Sequence, residues 1–173
     1  KRPLWIAILG QRKGKIALKE AYDIYGSRYD LEHFFRFGKN NLLMDELNKQ
    51  DIKATSQDLL NKKYASITKD ITVSCATDGN HGKSVAWAAQ MFGCNCEIYI
   101  HRNVSPGREK AIAKYGAVVN RIKGNYDDSV RIAADVADSN GYTVVSDTSY
   151  EGYTEIPKDV MQGYTVMVDE AMN

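Results

Sequence analysis

The chain has 173 residues, which suits one compact domain and is too short for two of ordinary size. Hydrophobic residues make up 43% and charged residues 26% of the sequence, a composition typical of a globular protein that excludes a disordered chain. Because 23 Lys and Arg nearly balance 22 Asp and Glu, the net charge of +1 provides no electrostatic basis for nucleic acid or an anionic membrane as the main partner.

The first fifty residues have no strong hydrophobic period. An apolar run after Pro3 predicts a strand, and a helix is predicted from Ile16 to Tyr25, where Gly26 ends it. The remaining segment, residues 30–50, is aromatic at first and then helical in character, with Leu42, Leu43 and Leu47 as its apolar positions.

From residue 51 onwards, strands and helices alternate. The predicted strands cover residues 71–77, 96–101, 117–122 and 142–147. Helices are predicted after a cap at Thr55 or Ser56, from about Asn80 to Gly93, from Ser105 to Gly116, from Asn125 to Gly141 and from about Lys158. Links this short between strands and helices predict right-handed βαβ units. The predicted fold class is therefore α/β, with an open parallel sheet flanked by helices.

Apolar spacing predicts which face of two of these helices is buried. The stripe on the helix that begins near Asn80 is expected to comprise Val85, Ala88, Ala89 and Phe92. The stripe on the helix that follows Asn125 is expected to comprise Val130, Ala133, Ala134 and Ala137.

The cysteines indicate a reducing compartment. Cys75, Cys94 and Cys96 are odd in number, and their spacing fits no zinc site, so we expect no metal and three reduced, buried or half-buried thiols. No apolar run approaches the ~20 residues that cross a bilayer, and no signal-peptide pattern opens the chain. We therefore expect a cytoplasmic protein.

Two strand ends carry residues suited to chemistry, and ligands of open parallel sheets bind outside such ends. The first is CATDGNHGKS at residues 75–84, where Gly79 and Gly82 allow the backbone to approach a ligand closely. A helix start here favours a bound carboxylate or phosphate, and Asp78 in the same loop suggests proton chemistry. The alternative is a simple strand–helix turn in which Asp78 or Asn80 caps the helix.

The second strand end is SDTSYEGYTEIP at residues 146–157. Asp147 lies where a carboxylate reaches the ligand crevice, although an Asx turn into Thr148 is the equal alternative. The loop that holds Tyr150 and Tyr153 can close over a ligand or pack on the sheet edge. Of the histidines, His81 is a candidate base or stacking partner, or a cap of its own turn, and His33 and His101 are expected to be isolated surface or core residues.

A phosphate-binding P-loop is a less favoured interpretation of the first strand end. Gly82, Lys83 and Ser84 match the end of the motif G-x-x-x-x-G-K-[ST], but Thr77 occupies the position of its first glycine. That glycine determines the curvature of the loop, so nucleotide binding is disfavoured.

Three segments together resemble one known family. They are CATDGNHGKSVAWAA, GNYDDSVRIA and SDTSYEGYTEIPKDVMQGYTVMVDEA, and the resemblance runs from about Asp51 to Ala171. The family is that of diaminopropionate ammonia-lyase, a fold-type II, tryptophan synthase β-like group of pyridoxal-phosphate enzymes. The resemblance implies a pyridoxal 5′-phosphate cofactor, cleavage of both stereoisomers of 2,3-diaminopropionate to pyruvate and ammonia, a small amino acid as the ligand and a homodimer.

The same resemblance implies roles for the residues of the first loop. Asn80 corresponds to the asparagine that contacts the 3′ oxygen of the cofactor, and Gly79 lies beside it. Thr77, Gly79 and His81 belong to the loop around the substrate carboxylate, and Tyr153 on the second loop is a further candidate for substrate binding.

Asp78 and Asp147 match the two carboxylates assigned as bases for the two enantiomers. A Schiff base to pyridoxal phosphate acidifies Cα–H, and a base on either face can remove the proton. Two carboxylates at neighbouring strand ends are what a lyase without stereospecificity needs. Threonine or serine dehydratases are an alternative, but those relatives usually carry serine at the position of Asp78.

Two features of the family are not matched. Its cofactor lysine ends the run RFGLNAFK, whereas here Leu43 ends the similar run RFGKNNLL and Lys39 lies four residues earlier. The family's glycine-rich phosphate loop is expected beyond Asn173. We therefore expect an incomplete chain, with 1–50 in the larger domain and 51–173 as the α/β small-domain region with flanking larger-domain elements. A catalytically inactive binding domain is the alternative.

Overall fold

Four parallel strands form one sheet in the computed structural model, which describes residues 52, 54–158, 160–161 and 172. The strands are β1 (Thr72–Ala76), β2 (Asn95–Ile100), β3 (Val118–Arg121) and β4 (Thr143–Val144), in the order β3-β2-β1-β4. The helices are α1 (Ser56–Leu60), α2 (Ala65–Thr68), α3 (Asn80–Phe92), α4 (Pro106–Ala113) and α5 (Tyr126–Asn140). A further helix begins at residue 155. The α/β fold class with a parallel sheet is confirmed.

The strand order creates a switch point at β1. The chain passes from β1 to β2 and then to β3 on one side, and α5 returns it to β4 on the other side of β1. At such a point the connections leave the sheet in opposite directions, which opens a crevice at the carboxyl ends of the strands. The two loops singled out in the sequence follow β1 and β4, so both end at this crevice.

Local sequence signals explain where the helices begin and end. The side chains of Thr55, Ser105 and Asn125 each accept a hydrogen bond from a backbone N–H in the first turn of the helix that follows. Gly93 and Gly141 adopt the left-handed conformation that ends α3 and α5. These caps confirm the predicted starts of α1, α4 and α5 and the predicted ends of α3 and α5, whereas α4 ends at Ala113, before the predicted Gly116.

The buried face of α5 differs from the prediction. Ala133 and Ala137 are buried as expected, but Val130 is 40% exposed and Ala134 is also exposed. The residue that completes the buried row is Ser129, whose hydroxyl donates to the Asn125 carbonyl and so enters the interior with its polar group satisfied. The apolar spacing alone could not detect a buried serine.

β4 is shorter than the predicted strand over residues 142–147. The Val145 N–H still donates to Ser74, but the next amide, that of Ser146, donates to the Tyr153 hydroxyl. A bond to a side chain thus replaces the bond to the neighbouring strand at Ser146, and the chain leaves the sheet there. The elements predicted within residues 1–50, including Ile16–Tyr25, lie outside the described residues.

The main core lies between the sheet and its helices. It includes the fully buried side chains of Val73, Cys75, Ile98 and Ile100, and a smaller cluster joins Leu59 of α1 to Ala88 and Phe92 of α3. The three cysteines are free thiols, two buried and one half-buried, as predicted. Within the described part of the chain, no helix is long and apolar enough to span a membrane.

Candidate active site

A cleft of about 330 Å³ opens at the carboxyl ends of β1 and β4. Its lining comes from the last residue of β1, the loop after β1, the first turn of α3, one residue each from α4 and α5, and the loop after β4. The lining residues are Ala76, Thr77, Asp78, Gly79, Asn80, His81, Arg108, Tyr126 and Asp147. Six of the seven predicted site residues thus share one cleft.

The hydroxyl of Thr77 organises the loop after β1. Its oxygen accepts hydrogen bonds of 3.0 Å from the N–H groups of Gly79 and Gly82, and the residue is buried. These bonds use both lone pairs of the hydroxyl, so its proton is the group that remains for donation. Thr77, three residues before the first residue of α3, therefore caps this helix. The N-cap residue itself is Gly79, which has no side chain, so the alternative in which Asp78 or Asn80 caps the helix is not what the structure shows.

Two glycines are required by this geometry. Gly79 has φ of +157°, and the aliphatic part of the Arg108 side chain packs beside it. A Cβ at this position would approach Arg108 Cδ to 3.0 Å. A Cβ on Gly82 would overlap the Cγ2 methyl of Thr77 and approach Ile98 Cγ2 to 3.1 Å. The loop can fold this tightly only because both positions lack a side chain.

Asp78 projects from this loop with its carboxylate largely exposed and paired to a histidine. The Nε2 of His101, at the end of β2, lies 2.9 Å from Asp78 Oδ1, and Arg108 donates from Nη1 to the Asp78 carbonyl at 3.2 Å. The expectation that His101 is isolated is therefore wrong. Sequence reasoning missed this partner because 23 residues separate it from Asp78, and only strand pairing brings the two together.

Arg121 holds the segment that carries His101. Its Nη1 lies 2.9 Å from the Arg102 carbonyl and 2.8 Å from the Val104 carbonyl, and its Nη2 lies 2.6 Å from Glu109 Oε2. An arginine that bonds several carbonyls and a carboxylate fixes the loop after β2 against β3 and α4.

Asp147 lies across the cleft in the loop after β4. The turn there is made by Ser146, whose Oγ accepts from the Thr148 N–H at 3.1 Å. Among the described residues, the Asp147 carboxylate has one long contact, of 3.5 Å, from the Thr148 hydroxyl. The predicted Asx turn is therefore replaced by a serine turn, which leaves the exposed carboxylate directed to the cleft it lines.

His81 links the two loops. The residue is buried, and its Nε2 lies 2.8 Å from the Val145 carbonyl, so that nitrogen must carry the proton it donates. This bond ties the first turn of α3 to the end of β4. It fixes the loop of Asp78 relative to the loop of Asp147.

Tyr126, at the start of α5, also lines the cleft, and the sequence did not single it out. Burial raises the pKa of its phenol, and the negative charges of Asp147 and Asp78 raise it further. The phenol therefore stays protonated near neutral pH and can act as a hydrogen-bond donor in the cleft.

Tyr153 is not part of the cleft lining. Its hydroxyl accepts from the Ser146 N–H and donates to the Val144 carbonyl, both at 2.9 Å, and its ring stacks on Tyr150 with centroids 4.9 Å apart. Burial is the main cause that raises the pKa of Tyr153 to about 12. The structure thus gives Tyr153 contacts that hold the loop after β4, while the expected contact with substrate stays a prediction.

No metal centre is formed by the described residues, among which no three His, Cys, Asp or Glu side chains gather closely enough to hold an ion. Burial raises the pKa of the Cys94 and Cys96 thiols to about 12 and that of Cys75 well above its ordinary value. These thiols are therefore protonated at neutral pH and do not act as nucleophiles.

The family follows from comparison with known proteins. The model of the family "Pyridoxal-phosphate dependent enzyme" matches residues 51–173. The chain belongs to this family. Membership confirms the cofactor class that the sequence resemblance implied.

Among these pyridoxal-phosphate dependent enzymes, the chain is similar to diaminopropionate ammonia-lyases. It is 45% identical over 106 residues to that of Escherichia coli K12, a match that covers 61% of this chain and 27% of that protein. It is 42% identical over 103 residues to that of Salmonella typhimurium, with 60% and 26% covered. The chain thus spans about a quarter of the length of the curated relatives that it matches.

Solved structures of the Escherichia coli diaminopropionate ammonia-lyase share the fold. The holo form has a TM-score of 0.70 at 35% identity and covers 84% of this chain and 36% of that one. The complex with D-serine has a TM-score of 0.69 with the same identity and coverage. The predicted fold-type II pyridoxal-phosphate fold is confirmed.

The cleft residues fit one side of a pyridoxal-phosphate site. Asn80 presents an exposed amide at the first position of α3, where it can donate to a ring oxygen, and the Thr77 proton is a second donor in the same cleft. The position of the family's cofactor lysine, here Leu43, lies outside the described residues. Among the described residues, the cleft therefore offers hydrogen-bond donors that suit a pyridoxal ring oxygen.

Proposed function

We propose that the whole protein is a pyridoxal-phosphate dependent ammonia-lyase that converts 2,3-diaminopropionate and one water to pyruvate and two molecules of ammonia. One observation carries this proposal: Asp78 and Asp147 line a single cleft from the ends of adjacent parallel strands. The similarity to diaminopropionate ammonia-lyases supports the choice of substrate.

The two carboxylates are the proposed bases. When bound, pyridoxal phosphate supplies an electron sink that acidifies the Cα–H of the amino acid. Asp78 and Asp147 then accept the Cα proton, each from one face of the substrate and hence from one enantiomer. Loss of the β-amino group leaves an enamine, which water hydrolyses to pyruvate with release of the second ammonia.

The loop after β1 is the proposed binding site of the substrate carboxylate. α3 has 13 residues, and its N-terminus directs backbone N–H groups and the positive end of its dipole at the cleft. The Thr77 hydroxyl and the Arg108 guanidinium add a donor and a positive charge in the same place. We assign Asn80 and Gly79 to the cofactor, and Thr77 and His81 to the substrate side.

We further infer that the whole protein is a cytoplasmic homodimer. The three free thiols of the described residues support a reducing compartment, and the dimer is what the family resemblance implies. Sedimentation velocity of the purified protein measures its mass directly, and a monomer at micromolar concentration contradicts the dimer.

The decisive experiment measures pyruvate release by the whole protein from D- and L-diaminopropionate. We expect turnover of both enantiomers, with loss of one in Asp78→Asn and of the other in Asp147→Asn, each by about 10²-fold or more. Asn keeps the size of Asp and removes the base, so binding is preserved.

Two controls accompany this measurement. L-serine and L-threonine test the dehydratase alternative, for which 2-oxo acid would form from them and not from diaminopropionate. Absence of pyruvate from both diaminopropionate enantiomers, in protein whose absorbance shows bound cofactor, contradicts the proposed substrate.

A further inference from the structure

We propose that His101 is a positioning residue for Asp78 and orients its carboxylate toward the substrate Cα. This inference rests on the proposed function, because it takes Asp78 as the base for one enantiomer. It assigns a role to a side chain outside the cleft lining, directly after β2, a strand that contributes no residue to the proposed chemistry.

The tautomer of His101 follows from its two contacts. The Asn103 N–H donates to Nδ1 at 3.2 Å, so Nδ1 carries a lone pair and not a proton. Nε2 must then carry the proton, and it lies 2.9 Å from Asp78 Oδ1. His101 is thus a neutral donor that holds one carboxylate oxygen and leaves Oδ2 to accept the substrate proton.

The positioning residue is less exposed than the carboxylate that it is proposed to orient. The His101 side chain is 16% exposed and that of Asp78 is 64% exposed. An exposed carboxylate on a loop samples several rotamers, and a hydrogen bond from a half-buried ring favours one of them. Since Arg121 bonds the carbonyls of the loop that follows His101, the backbone that carries the ring is held in place.

The contact is specific to one of the two carboxylates. His101 directly follows β2, which pairs with β1 on the side opposite to β4. Asp147, after β4, has instead the 3.5 Å contact from the Thr148 hydroxyl. Loss of the His101 side chain should therefore impair removal of the proton by Asp78 and leave removal by Asp147 intact.

The two enantiomers provide the test within one protein. Asp78→Asn in the whole protein first identifies the enantiomer that depends on Asp78. His101→Leu should then lower kcat for that enantiomer by about tenfold or more, with KM nearly constant and kcat for the other enantiomer within about twofold of the wild type. The matched control is His101→Gln, whose amide can donate at the position of Nε2 and should restore most of the lost rate.

A second readout does not depend on activity. Nitrogen-15 NMR of the histidine rings in cofactor-free protein should show His101 as the neutral tautomer protonated at Nε2, and Asp78→Asn should shift that Nε2 resonance. Equal losses for both enantiomers in His101→Leu, or an Nδ1-protonated ring, overturn the inference while the lyase function stands. Absence of pyruvate from both enantiomers with the wild-type protein instead overturns the proposed function.

Discussion

Replacement of Thr77 by valine tests whether one hydroxyl holds the active-site loop. Valine keeps the shape of threonine and removes the oxygen that accepts from the N–H groups of Gly79 and Gly82 at 3.0 Å. Each bond contributes about 0.5–1.5 kcal/mol, so the pair contributes about 2 kcal/mol to the stability of the closed loop. That free energy corresponds to about 30-fold faster exchange of the two amides, since each 1.36 kcal/mol is tenfold.

Hydrogen exchange of the whole protein, followed at Gly79 and Gly82 by NMR or at peptides that cover them by mass spectrometry, measures this change. The matched control is Thr77→Ser, which keeps the oxygen and loses one methyl, a cost of about 0.8 kcal/mol in burial. Thr77→Ser should therefore retain most of the amide protection. Unchanged exchange in Thr77→Val, or equal losses in both variants, refutes the assignment of Thr77 as the cap of α3.

Three further experiments test the packing at Gly82, the hydrogen bond at Tyr153 and the burial of two thiols. Gly82→Ala places a Cβ against the threonine methyl and should destabilise the protein by about 1–3 kcal/mol in urea unfolding, whereas Gly107→Ala, whose Cβ meets nothing within 4 Å, should not. Tyr153→Phe removes the acceptor of the Ser146 amide, so that amide should exchange about tenfold faster; unchanged exchange excludes a support role for the phenol. Burial raises the pKa of Cys94 and Cys96 in the folded protein to about 12, whereas an ordinary thiol has a pKa of 9.0. The neutral thiols therefore stabilise the folded state fully below pH 9, and this contribution is lost as the pH rises from 9 toward 12. Site-resolved labelling with iodoacetamide should leave both cysteines unmodified at pH 8 in the folded protein, and rapid labelling there contradicts their burial.

The segments that local rules describe were predictable from the sequence. The caps at Thr55, Ser105 and Asn125 and the glycine ends of α3 and α5 depend on contacts within a few residues, so short sequence patterns contain the necessary information. The parallel pairing of the strands was also predictable, because strands joined through a helix by short links form right-handed βαβ units. The buried serine of α5 did not follow, since a polar residue becomes a core residue only when a nearby carbonyl satisfies it.

The sequence by itself determined the α/β alternation, the family resemblance and the two loops that carry Asp78 and Asp147. Only the tertiary structure decided that these loops share one cleft, that Tyr126 lines it, that His101 contacts Asp78, and that Tyr153 bonds the backbone beside it. The physical reason is that a strand order of β3-β2-β1-β4 brings together residues from distant parts of the chain, and no local pattern records which strands will be neighbours.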